Sequence, residues 1–251
     1  MNPQNIVTEI GPKIYRLSIY VPDFDLQFNH FLVDDDEPLL YHAGLRGMFA
    51  PLRDAVATII DPTRLRWVGF SHFESDECGG LNEWLALSPR AEAVCSDIGA
   101  MVSVNDFAVR PARGLADGER LVTGERTFQI CRTPHLPHGW DASVLFEETS
   151  RTLFCSDLFH QVGDVEARTT EDVVGRSVAA MRAYQAGVLA DYAPYTPKTA
   201  GLFQKLATLD PTLLAVMHGS SYEGDGARAL SDLATGFAEV FGGSPGDDDS
   251  R

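Results

Sequence analysis

The fold of this protein is decided by one stretch of its sequence, Ser71-His72-Phe73-Glu74-Ser75-Asp76-Glu77-Cys78-Gly79-Gly80. The stretch follows Arg66–Phe70, a short apolar run that is typical of a β-strand. Because alternate side chains of an extended chain point the same way, His72, Glu74 and Asp76 are expected to face one point. An imidazole and two carboxylates placed together could form one corner of a metal site.

A short H-x-E-x-D pattern also arises by chance in solvated acidic loops. The pattern therefore indicates a metal site only if other parts of the chain supply further ligands. Three further polar residues follow apolar runs in the same way. They are His138 after Thr127–Cys131, Asp157 after Thr152–Cys155, and His218 after Leu213–Val216. Ligand-bearing loops of layered proteins lie at strand ends, so this repeated placement predicts one shared site.

The spacing of these residues resembles a known family. His138 follows His72 by 66 residues, Asp157 follows after 19 more, and His218 after another 61. This order is similar to the diiron domain of flavodiiron proteins, and above all to the stand-alone oxygen-binding diiron proteins of the metallo-β-lactamase superfamily. The resemblance covers Arg66–Gly219, and the run Asn29–Val33 resembles the early core strand of that superfamily.

The resemblance implies a fold and a ligand set. The implied fold is a four-layer αβ/βα sandwich, in which two mixed sheets are flanked by helices. One metal would be held by His72, Glu74 and His138, and the other by Asp76 and His218. Asp157 would bridge the two, and a shared carboxylate would reduce the repulsion between two nearby cations.

The donor types favour iron. Zinc hydrolases of the superfamily carry H-x-H-x-D-H, whereas this chain has Glu74 and Glu77 at the second and last histidine positions. Oxygen donors suit iron or manganese better than they suit zinc, although zinc also accepts carboxylates. We therefore expect two iron ions, with manganese or zinc as alternatives.

Several residues near the motif have open roles. Glu77 could ligate the second metal, point away and leave an open position, or be a surface acid; the open position is the favoured hypothesis. His135 could line the site or be an ordinary loop histidine, and Asp141 could orient His138. His160 could form a hydrogen bond near the bridge or face solvent. The hydroxyls of Tyr192 and Tyr195 could approach the metals and donate hydrogen bonds to a bound oxygen species.

The resemblance implies a protein that binds, senses or reduces O2, with NO as a second candidate ligand. No Gly-rich phosphate loop follows a strand, so no flavodoxin domain or flavin is expected in this chain. An electron-donor or signalling protein would then be needed, and a homodimer is a further candidate. The alternative is a two-metal zinc hydrolase of a lactone, thioester or phosphodiester, and a third hypothesis is a scaffold that has lost its metals.

Composition limits the partners. The 251 residues carry a net charge of −16, which disfavours binding to nucleic acid or to anionic membranes. No apolar run approaches the roughly 18 residues that a membrane span needs, and no secretory signal is visible. The four cysteines are not spaced as CxxC. We therefore expect a cytoplasmic protein with reduced thiols.

The wider pattern predicts an α/β layered protein with one domain over residues 1–241 and a disordered tail over 242–251. Strands are expected at Lys13–Tyr20, Phe28–Val33, Pro38–His42, Arg66–Phe70, Glu92–Cys95, Leu121–Val122, Thr127–Cys131, Ser143–Glu147, Thr152–Cys155 and Leu213–Val216. Helices are expected at Phe49–Ile60, Leu81–Leu87, Asp97–Val104, Glu171–Leu189, Thr199–Leu209 and Asp225–Phe241, and Phe107–Glu119 is expected to be loop.

Overall fold

The computed structural model describes residues 6–242, so the predicted tail at 242–251 lies almost wholly outside the described residues. The first half of the chain forms a seven-stranded sheet in simple sequence order. Its strands are β1 Val7–Gly11, β2 Ile14–Val21, β3 Leu26–Val33, β4 Leu39–Tyr41, β5 Trp67–Gly69, β6 Glu92–Ser96 and β7 Arg113–Leu115. Pairing is antiparallel from β1 to β4 and parallel from β4 to β7, so the sheet is mixed.

The second half forms another seven-stranded mixed sheet. Its strands are β8 Arg120–Val122, β9 Thr127–Arg132, β10 Ser143–Glu147, β11 Thr152–Phe154, β12 Arg168–Thr169, β13 Leu213–Ala215 and β14 Ser221–Glu223. Their order across the sheet is β12-β14-β13-β11-β10-β9-β8. β11 and β13 are parallel, and β9 runs in the same direction because β10 is antiparallel to both β9 and β11.

Helices cover the outer face of each sheet. They are α1 Phe49–Val56, α2 Ser75–Cys78, α3 Leu81–Leu87, α4 Asp97–Gly99, α5 Asn105–Phe107, α6 Val173–Gln185, α7 Thr199–Ala207 and α8 Gly226–Phe241. A π-helical turn, Ala100–Val104, joins α4 to α5. Short 3-10 turns lie at Pro22–Phe24, Arg46–Met48 and Pro62–Arg64.

Three apolar clusters separate the layers. The middle cluster joins the two sheets and includes Phe31 from β3 and Phe154 from β11, whose rings lie 5.4 Å apart. A second cluster packs the first sheet against α1 and α3, with Leu52 among its members. A third packs the second sheet against α6, α7 and α8, with Phe237 among its members. The implied four-layer αβ/βα sandwich is therefore confirmed.

Some predicted boundaries were wrong. The predicted helix Phe49–Ile60 ends at Val56; turns follow as far as Ile59, and Asp61 is extended before Pro62. The predicted helix Glu171–Leu189 spans only Val173–Gln185, and the Asp172 side chain fixes its start by accepting a hydrogen bond from Gly175 N.

Very short strands were also missed. The predicted loop Phe107–Glu119 contains β7, and the helix predicted to end at Val104 continues through α5 to Phe107. The sequence of β7, Arg-Gly-Leu, has no β-branched residue, and only its pairing with β6 makes it a strand. β1, β12 and β14 were missed as well.

The sheet geometry brings four loops to one edge of the sandwich. Asp157 and His218 follow the parallel strands β11 and β13, and His138 follows β9, which runs in the same direction. His72 follows β5 of the facing sheet. The strand ends therefore deliver the predicted polar residues to a common place between the two sheets.

Candidate metal centre

The loop that carries the H-x-E-x-D pattern bends at Ser71–Phe73, and Glu74 N donates a hydrogen bond to the carbonyl oxygen of His72 at 3.0 Å. Glu74 has φ −135° and ψ 158° and immediately precedes α2, which begins at Ser75. The expectation that His72, Glu74 and Asp76 share one face of an extended chain was therefore wrong. Asp76 lies in the first turn of α2 and reaches a different group of side chains, next to His218.

Four side chains converge in a first group: His72, Glu74, His138 and Asp157. Glu74 Oε2 lies 2.9 Å from His72 Nε2 and 2.8 Å from His138 Nε2. The two ring nitrogens are 3.0 Å apart. Asp157 Oδ2 lies 3.7 Å from the His72 nitrogen and 3.5 Å from that of His138. These donors could hold one metal ion.

A second group contains Asp76, His218 and, again, Asp157. His218 Nε2 lies 3.4 Å from Asp76 Oδ2 and 3.1 Å from Asp157 Oδ1. Asp157 thus directs Oδ2 to the first group and Oδ1 to the second. One carboxylate between two donor groups is the arrangement that a bridged pair of cations requires.

Hydrogen bonds behind the site fix the imidazole rings. His218 Nδ1 lies 2.8 Å from the carbonyl oxygen of Gln27, and His72 Nδ1 lies 3.0 Å from the Ser71 hydroxyl. A partner at Nδ1 leaves Nε2 of a neutral ring with its lone pair free to bind a metal. Sequence reasoning missed Ser71 and Gln27 in these roles, although Ser71 directly precedes a predicted ligand.

Glu77 is fully buried and turned away from both groups. Its carboxylate accepts hydrogen bonds from Ser71 N at 2.9 Å and Ser71 Oγ at 2.5 Å, and it lies 3.2 Å from His42 Nε2. The hypothesis of a surface acid was therefore wrong. The orientation fits the favoured hypothesis, in which Glu77 is no ligand and a coordination position stays open.

The charges of the site are strongly coupled. Burial disfavours a charged His72 ring, but Glu77, Glu74 and Asp157 outweigh burial and raise its pKa to about 10. Burial is likewise outweighed at His218, where Asp157 and Asp76 raise the pKa to about 10. Hydrogen bonds from His138 and His72 lower the pKa of Glu74 to about 2. The site thus stabilises positive charge beside its carboxylates.

Two further candidates, Asp141 and His135, bind no metal in this arrangement of the donor groups. Asp141 is buried and accepts a hydrogen bond from Phe73 N at 3.0 Å. His138 Nδ1 has no hydrogen-bond partner in the described chain, so the expectation that Asp141 orients His138 was wrong. Asp141 holds the ligand loop instead. His135 is exposed and belongs to neither group, which fits an ordinary loop histidine.

A cavity of about 280 Å³ opens onto both groups. Its lining includes Asp76 and His218 together with the rings of His160, Tyr184 and Tyr192. Tyr195 is 39% exposed and is not part of this lining. Tyr184 comes from α6, far along the chain from every strand that carries a ligand candidate, and no sequence pattern marked it.

Two further observations concern the chain as a whole. Between residues 6 and 242, no helix is long and apolar enough to cross a membrane. All four cysteines are buried and unpaired, as expected for reduced thiols.

The family model of the ODP family beta lactamase matches residues 26–219, a range that includes all six converging side chains. The chain belongs to the ODP family. This confirms the resemblance that the motif and its spacing indicated.

The chain has relatives that are longer proteins. This chain is 25% identical over 200 residues to the rubredoxin-oxygen oxidoreductase of Megalodesulfovibrio gigas, and the matched region covers 78% of this chain and 49% of that protein. This chain is also 26% identical over 144 residues to diflavin flavoprotein A 1 of Synechocystis sp., and that region covers 55% of this chain and 25% of that protein. The chain spans about half the length, or less, of these relatives.

Solved structures share the fold. The rubredoxin oxygen:oxidoreductase of Desulfovibrio gigas superposes with a TM-score of 0.78 at 21% identity, over 93% of this chain and 61% of that one. A structure described as the peroxy diiron species of the chemotaxis sensor ODP superposes with a TM-score of 0.71 at 19% identity, over 91% of this chain and 93% of that one.

Proposed function

We propose that this protein holds two iron ions and binds O2 at them. His72, Glu74 and His138 would hold one iron, Asp76 and His218 the other, and Asp157 would bridge the two. The observation that carries the proposal is the position of Asp157, which directs one oxygen to each donor group. Three carboxylates would offset three of the four positive charges of two ferrous ions.

The donor set fits iron. Glu74 supplies oxygen where a zinc hydrolase of this superfamily would supply nitrogen, and hard anionic donors stabilise higher oxidation states of iron. The second group offers only Asp76, His218 and a share of Asp157, which leaves positions for a small ligand facing the cavity. Two ferrous ions in this place would supply the electrons that O2 binding requires.

Other residues of the chain would orient the histidine ligands and line the cavity that the ligand enters. The hydrogen bonds at Nδ1 of His72 and His218 hold the rings so that Nε2 of each faces a carboxylate of the site. The rings of Tyr184 and Tyr192 and the side chain of Leu26 line the same cavity beside the donor groups. Such apolar surface suits an uncharged diatomic gas, which needs few hydrogen bonds.

The names of the relatives support an oxygen-related role. One is a chemotaxis sensor with a peroxy diiron species, and another is an oxygen oxidoreductase that is named together with rubredoxin. We propose that this protein binds O2 either as a sensor, read by a signalling protein, or as a reductase supplied with electrons by a partner. NO is the second candidate ligand. A cytoplasmic location is part of the proposal.

The proposal is tested by metal analysis of protein purified without oxygen, with an optical spectrum before and after O2 is added. We expect about two irons per chain and a new near-ultraviolet charge-transfer band on oxygenation. Two zinc ions and a spectrum that does not respond to O2 would contradict the proposal. They would direct attention to lactone, thioester or phosphodiester hydrolysis.

A further inference from the structure

His160 lies in the turn that follows Asp157, next to His218. Its backbone N–H donates a hydrogen bond to the carbonyl oxygen of Asp157 at 3.2 Å, and the next residue, Gln161, donates from its N–H to the carbonyl oxygen of His218 at 2.8 Å. Phe159, which precedes it, has a left-handed φ of 65°. This constrained backbone fixes where the His160 side chain points.

The His160 ring is buried, and one of its two nitrogens lacks a hydrogen-bond partner in the described chain. The residue is 4% exposed, and Nε2 has no hydrogen-bond partner within residues 6–242. A buried ring nitrogen without a partner costs free energy, so such a group calls for an explanation in a ligand or a bound water.

Two tyrosines hold this ring in place. The His160 ring stacks on Tyr184 with centroids 4.9 Å apart and an angle of 12° between the planes. Tyr192 contacts it edge-on at 5.8 Å. A ring clamped on its face and at its edge loses little further rotational freedom when it binds a ligand, which favours binding.

The clamped ring lines two cavities at once. The larger is the cavity of about 280 Å³ that the ring shares with Asp76 and His218. The smaller, about 10 Å³, is shared with Ser177 of α6, whose hydroxyl is also buried without a partner in the described chain. One water molecule in the smaller cavity would pair one ring nitrogen with Ser177 and leave the other for the larger cavity.

We propose that His160 is a ligand-binding residue, which forms a hydrogen bond to a small anionic or diatomic ligand in the metal-lined cavity. The inference rests on the proposed function, because the metals would bring that ligand into the cavity. An imidazole ring carries at least one N–H donor, whether it is neutral or protonated.

The experiment measures azide binding to Co(II)-loaded protein, by optical titration and by the infrared stretching band of bound azide. His160→Phe keeps an aromatic ring against Tyr184 but has no ring nitrogen. We expect azide to bind about fivefold to tenfold more weakly to this variant, with a shifted azide band and unchanged cobalt content. His160→Gln, which retains an N–H donor, should recover part of the affinity.

His135→Asn is the control, since this histidine is exposed, lies outside both donor groups and has a left-handed φ of 66° that asparagine tolerates. It should bind azide as the parent does. If His160→Phe does not fold, His160→Leu provides the same comparison with a smaller side chain. Parental affinity and an unshifted azide band in the folded variants would overturn the inference, and so would loss of cobalt. A parent protein that binds Co(II) and azide but never reacts with O2 would contradict the proposed function alone.

Discussion

At the scale of single residues, Asp157 carries the greatest weight, because its two oxygens face two different donor groups. Asp157→Ala should lose both metals, whereas Asp76→Ala should lose only the metal of the second group. Metal content after anaerobic reconstitution and desalting measures both, with circular dichroism to confirm folding. Full occupancy in Asp157→Ala would show that this residue does not bridge.

Glu77 offers a second test at this scale, because it is buried next to the ligand loop yet faces away from the donor groups. Glu77→Gln should retain both metals. It should lower the free energy of unfolding by about 1–3 kcal/mol, since the amide nitrogen that replaces one carboxylate oxygen cannot accept the hydrogen bond that Ser71 donates there.

Metal analysis and a urea titration check these two expectations separately. Loss of one metal in Glu77→Gln would make Glu77 a ligand. Asp141→Asn is an informative companion, because Asp141 also holds the ligand loop from behind, through Phe73 N, without belonging to either donor group.

At the scale of secondary structure, the start of α2 divides the ligand motif. Glu74 is the last extended residue, so its carboxylate remains beside His72, and Asp76 is carried by the helical turn toward His218. Successive helical residues are rotated by about 100°. Glu77 therefore points in another direction from Asp76, into the interior.

The packing of α8 against α6 is tested by a pair of glycines. A Cβ added at Gly236 of α8 would lie 2.4 Å from Cγ2 of Val178 on α6, whereas Gly201 of α7 is exposed with nothing within 4 Å of such an atom. Val178 is β-branched and its side chain adapts poorly.

Gly236→Ala should therefore destabilise the protein by about 1–2 kcal/mol, despite the better helix propensity of alanine. Gly201→Ala should stabilise it by about 0.5–1 kcal/mol. Thermal unfolding of both variants measures the contrast. Equal shifts in the same direction would show that α6 and α8 are not in close contact at this point.

At the scale of the whole molecule, metal binding is linked to protons. The raised pKa values of His72 and His218, each about 10, mean that both rings are protonated at pH 7.5 when no metal is bound. The pKa of His138 is raised as well, because burial is outweighed by Glu74 and Asp157. A metal binds only the neutral ring, so binding should release at least two protons per chain, and affinity should rise with pH toward 10.

Calorimetric titration with Zn(II), a redox-inert probe, measures this release. The observed heat should change with the ionisation enthalpy of the buffer, in proportion to the protons released. A heat that is independent of the buffer would show that the rings are already neutral at pH 7.5.

The sequence by itself determined the layered fold and the six candidate ligands. Each candidate follows an apolar run, and such runs form strands whose ends gather at one edge of the sandwich. The pattern of the chain was therefore enough to mark His72, Glu74, Asp76, His138, Asp157 and His218. The motif also sufficed to identify the family, which the family match confirms.

Only the tertiary structure decided how these side chains divide and what surrounds them. In the structure Asp76 lies apart from Glu74, and Glu77 points into the interior. Asp141 accepts a hydrogen bond from Phe73 N, and the His160 ring stacks on Tyr184. The physical reason is that strand-end placement depends on local patterns of apolar residues. The direction of a side chain depends on where a helix begins, and on contacts between parts of the chain that are distant in sequence.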